Sequence, residues 1–94
     1  MTRFTVKREG HYTVPEADLQ QALQRLAALE NMLEELAACQ TDIPVELAKL
    51  KATGRDKTVR YKELLGQKLL LNEMLALLER HGVRLDGLGP GDVS

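Results

Sequence analysis

His11, Cys39 and His81 are the side chains best suited to nucleophilic attack, proton transfer near neutral pH or soft-metal ligation. The two histidines lie seventy positions apart and do not form the HExxH pattern that sets two imidazoles on one helical face. His81 falls at the expected end of a helix, where the helix dipole favours a cation, so position alone accounts for it. Cys39 is the only cysteine, which excludes an intrachain disulfide and a multi-cysteine zinc site. At the end of an apolar stripe it reads as a small buried hydrophobe. The glycines do not follow a strand as GxGxxG, and there is no GxxxxGK or nucleophile elbow. The expectation is a non-enzymatic protein with no catalytic residues, no metal and no cofactor.

Charge is the second candidate chemistry. The net charge is -1, but its distribution is uneven. Glu9 to Glu46 is acidic with Arg25 as its one cation, whereas Lys49 to Lys68 is basic. The two segments can complement each other within the fold or across an interface. Lys51, Arg55, Lys57, Arg60 and Lys62 also straddle an expected break between helices, which superficially suggests a helix-turn-helix over phosphates. The helix that follows is far longer and more apolar than a recognition helix needs, and only Tyr61 is placed for base stacking. DNA or RNA binding through this segment is the alternative reading.

These residues must be positioned by helices. The chain has 94 residues and 44% hydrophobic content, drawn largely from Leu and Ala, with no Trp. Those are strong helix formers. The expected fold class is mainly α: an antiparallel hairpin of long helices with a short connecting helix and an N-terminal β-hairpin, assembled into a helical-bundle oligomer. Residues 1–82 would form a single domain and 83–94 a flexible, glycine-rich tail.

Residues 3–14 alternate around Gly10 as a β-hairpin, with a three-residue loop Arg8-Glu9-Gly10 setting Val6 opposite Tyr12. Thr13 and Glu16 match a capping box for a helix over 15–39. There Leu19, Ala22, Leu26, Leu29, Leu33 and Leu36 recur at 3-4 spacing, the pattern of lengthwise helix packing. Thr41, Asp42 and Pro44 signal a restart, giving a short helix over 43–53 closed by Gly54. A last helix over 57–81 stops at Gly82 and Val83 in a Schellman motif, with Leu78 as its hydrophobic partner.

The last helix is apolar nearly all round. Leu64, Leu71, Leu75 and Leu78 fill one sector. Leu65 and Leu69 fall in a second, and Val59, Leu70 and Leu77 in a third. One partner helix and a hairpin cannot cover all three. Val59, Leu65, Leu69, Leu70 and Leu77 are therefore the candidate oligomer interface, and the expected partner is a second copy in a homodimer or tetramer. A different protein in a hetero-complex is the other possibility. The longest apolar run, Leu69-Leu70-Leu71, is far too short for a membrane span. No secretory signal is evident, so the expected compartment is the cytoplasm.

Overall fold

The computed structural model describes residues 1–85. It contains a β-hairpin of β1 (Val6–Arg8) and β2 (His11–Thr13), a 3-10 turn over Glu16–Asp18, and two α-helices, α1 (Leu19–Ala52) and α2 (Val59–Arg80). Two compact units meet between Met32 and Leu33, and α1 passes through that boundary. From residue 86 on, the expected tail lies outside the described residues.

In the first unit the hairpin pairs Val6 with Thr13, Lys7 with Tyr12 and Arg8 with His11. This corrects the expected register by one residue. The loop has two residues, not three, because Glu9 (φ 48°) and Gly10 (φ 85°) both adopt the left-handed region. That is a type I′ turn, whose twist matches the strands it joins. The change also removes the expected capping box. The Thr13 hydroxyl donates across the hairpin to the Val6 carbonyl (3.3 Å), and the chain enters α1 through Pro15 and the 3-10 turn without a side-chain cap.

The larger correction concerns the short connecting helix expected over 43–53. It is the C-terminal part of one continuous helix, α1, with Pro44 in its interior. Pro44 has no N–H to offer the Gln40 carbonyl, and an internal proline costs ~3 kcal/mol. Two features outweigh that cost. Ile43, Leu47 and Leu50 continue the 3-4 repeat of Leu29, Leu33 and Leu36 in phase, with Gln40 filling the intervening position. Ile43 and Leu47 are also buried, and full burial of such a side chain contributes about 1.5–3 kcal/mol. The helix therefore persists through a sequence that looks locally like a restart.

The second unit holds the core. Ile43 and Leu47 of α1 and Leu64 and Leu71 of α2 form one buried cluster, flanked by Leu36, Cys39, Leu50, Tyr61 and Leu75. Clefts along this seam place Asp42 and Glu46 with Arg60 and Gln67, then Leu36 and Cys39 with Leu70 and Met74. Movement down α1 thus corresponds to movement up α2, and the two helices pack antiparallel.

The turn between them is built from local hydrogen bonds. Arg55 N–H donates to the Leu50 carbonyl (2.7 Å) and Gly54 N–H to that of Lys51 (3.1 Å), with Gly54 at φ 74°. This is the Schellman closure in which a residue without Cβ takes the left-handed position. Thr58 then caps α2, its hydroxyl oxygen accepting from Tyr61 N–H (3.3 Å). The same closure ends α2: Val83 N–H donates to the Leu78 carbonyl (2.9 Å) and Gly82 N–H to that of Glu79 (3.0 Å).

Candidate interaction surfaces

α2 is wrapped in leucine, but its burial is one-sided. Leu64 and Leu71 are 3% and 6% exposed, whereas Val59, Leu65, Leu69, Leu70 and Leu77 stand 40–72% exposed. At ~100° per residue, Val59, Leu70 and Leu77 share one sector of the helix and Leu65 and Leu69 another. Between them run Lys62, Gly66, Glu73 and Arg80, and all four are exposed. The five candidate interface residues thus form two apolar strips flanking a polar one, outside the face of α2 that packs into the core.

One of these strips borders a groove along the α1–α2 seam. Leu36, Cys39 and Ile43 form its α1 wall, and Gln67, Leu70, Leu71 and Met74 its α2 wall. Cys39, a free and partly buried cysteine, belongs to this apolar groove. The α1 wall was hidden at the sequence level, because the groove requires α1 to continue past Gln40. Its legible signal was the unbroken phase of Leu36 and Ile43.

The first unit has its own apolar cleft, formed by Phe4 and Val14 with Leu19, Ala22, Leu23, Leu26 and Leu29 of α1. Leu19, Leu23, Leu26 and Leu29 are 47–51% exposed. Arg25 holds the N-terminal segment over this helix, its guanidinium stacking on the Phe4 ring and donating to the Thr2 carbonyl. No spacing rule pairs Phe4 with Arg25, so sequence reasoning missed the contact.

The basic residues gather where α1 turns into α2. Lys51, Arg55, Lys57, Arg60 and Lys62 are all exposed. Among the described residues two ion pairs form, Arg60 with Glu63 (3.9 Å) and Arg84 with Glu79 (3.4 Å). Neither joins the acidic run of α1 to the basic run that follows it. The helix entering this turn has 34 residues, so the short leading helix of the helix-turn-helix reading is absent among the described residues.

His11 lies exposed on β2, and His81 is the exposed C-cap of α2, its N–H donating to the Leu78 carbonyl (3.0 Å). The residues that could do chemistry are thus separated among the elements. Among the described residues no helix is long and apolar enough to cross a membrane. No protein-family model, curated protein or solved structure matches the chain.

Proposed function

We propose that this protein is a non-enzymatic, cytoplasmic helical interaction protein that acts as a homo-oligomer, with α2 as its principal interface. The supporting observation is the exposure of Val59, Leu65, Leu69, Leu70 and Leu77 on a helix whose opposite side already fills the core. These side chains, roughly half exposed, would each contribute about 1 kcal/mol on burial, so two copies together gain about 10 kcal/mol. The loss of free motion on association costs about 4–15 kcal/mol. With gain and cost of similar size, assembly depends on concentration, and dilution is the informative variable.

Light scattering across a dilution series tests the reading. The wild-type chain should show a mass above the monomer that falls on dilution. Leu70→Gln with Leu77→Gln should give a monomer at every concentration while circular dichroism keeps its helical signal. A wild-type monomer throughout, up to about 1 mM, overturns the reading, because an interface weaker than that gains less than ~4 kcal/mol.

A further inference from the structure

We propose that two copies pair antiparallel about a two-fold axis, the basic α1–α2 turn of each lying beside the acidic far end of the other. The inference deepens the self-association reading and rests on it. It comes from how charge is laid out along the second unit. Near the turn, Lys49, Lys51, Arg55, Lys57, Arg60 and Lys62 outnumber Glu46, Asp56 and Glu63. At the other end, Glu34, Glu35, Glu73 and Glu79 outnumber Arg80 and Arg84, with Asp42 and Lys68 lying between the two ends. The antiparallel packing of α1 on α2 brings each set together at one end.

Within one copy the two sets are too far apart to neutralise each other. Glu34 and Lys49 are fifteen residues apart on α1, about 22 Å along the helix at 1.5 Å per residue. That is roughly twice the ~10 Å screening length at 0.1 M salt. The two ion pairs among the described residues are local, each within one end. A second copy laid antiparallel along α2 brings opposite ends level. The two-fold axis makes that match twice, whereas a parallel arrangement sets like charge beside like. The exposed leucines supply the attraction and the charges select the orientation. Exposed pairs are individually weak, which suits them to selecting among arrangements of similar apolar contact.

A charge-swap experiment tests this. One variant carries Lys57→Glu and Lys62→Glu, and the other Glu34→Lys and Glu73→Lys; all four positions are exposed. Circular dichroism verifies that both fold. Sedimentation equilibrium follows wild type, each variant and their equimolar mixture, at about 50 mM and about 500 mM NaCl, which spans strong and weak screening. The expected result is wild-type dimerisation weakened at least about tenfold by salt, each variant alone weakened by a similar factor, and dimerisation restored in the mixture. Only in the mixed pair do both end-to-end contacts oppose unlike charges. Variants that dimerise like wild type, or weak variants that the mixture does not rescue, overturn the antiparallel arrangement and leave leucine-driven association standing. A wild-type monomer at both salt concentrations overturns the self-association reading itself, and this arrangement with it.

Discussion

The guanidinium carbon of Arg25 lies 4.1 Å from the centroid of the Phe4 ring, and the same side chain donates to the Thr2 carbonyl. The only Phe in the chain is thereby held on α1 by the one Lys or Arg between Glu9 and Glu46. A two-stranded hairpin is marginal by itself in water, so this contact has a structural consequence.

Arg25→Ala should loosen the hairpin on α1. A half-buried cation–π contact and one charge-assisted hydrogen bond together account for about 1–2 kcal/mol. Amide exchange at Val6–Thr13 should accelerate about tenfold, with α2 protection unchanged. Arg25→Lys keeps the charge but lacks the planar stacking group, and should fall between the two. Unchanged exchange at Val6–Thr13 in Arg25→Ala would show that Phe4 and Val14 hold the hairpin without Arg25.

Leu71→Ala should be the costly core truncation. Leu71 is 6% exposed and belongs to a cluster with three other buried residues among the described ones. Loss of a buried leucine costs about 2–5 kcal/mol, a large part of the stability available to a small domain. Urea unfolding should show the midpoint falling sharply, while Leu69→Ala, at 66% exposure, should change the protomer by about 0.5 kcal/mol or less. Equal effects of the two substitutions would contradict the one-sided burial of α2.

Pro44→Ala should stabilise the fold. It restores the N–H that the Gln40 carbonyl lacks inside α1 and replaces the poorest helix former with the best. The gain is bounded by ~3 kcal/mol and is partly offset because alanine frees the unfolded chain. Thermal unfolding should move upward by several degrees with helicity retained. A destabilised Pro44→Ala variant would indicate that residues 41–44 form a genuine break between helices.

Much of this architecture was legible in the sequence because local chemistry decides it. Gly54 and Gly82 stand where a left-handed residue closes a helix, and both closures form as the spacing implies. Thr58 lies at the start expected for the last helix, and it provides the cap. The hairpin was evident from its alternation, but not its register. A type I′ turn asks Glu9 to adopt a positive φ that glutamate does not favour, so its residue type gives no local signal of the two-residue loop. The five candidate interface residues were singled out by the leucine content of α2, but periodicity left open which of three apolar sectors would be covered.

What the sequence determined by itself is therefore the set of elements: a short hairpin, helices with strong closures, and an excess of leucine over what one partner helix can bury. Tertiary structure decided where those elements end and which faces they hide. Asp42 and Pro44 form a convincing local start signal, and only the burial of Ile43 and Leu47 against Leu64 and Leu71 carries α1 through it. The physical reason is one of range. Caps and turns are settled by hydrogen bonds within about one helical turn, whereas the continuity of α1 depends on apolar contacts with residues some twenty to thirty positions away in the chain.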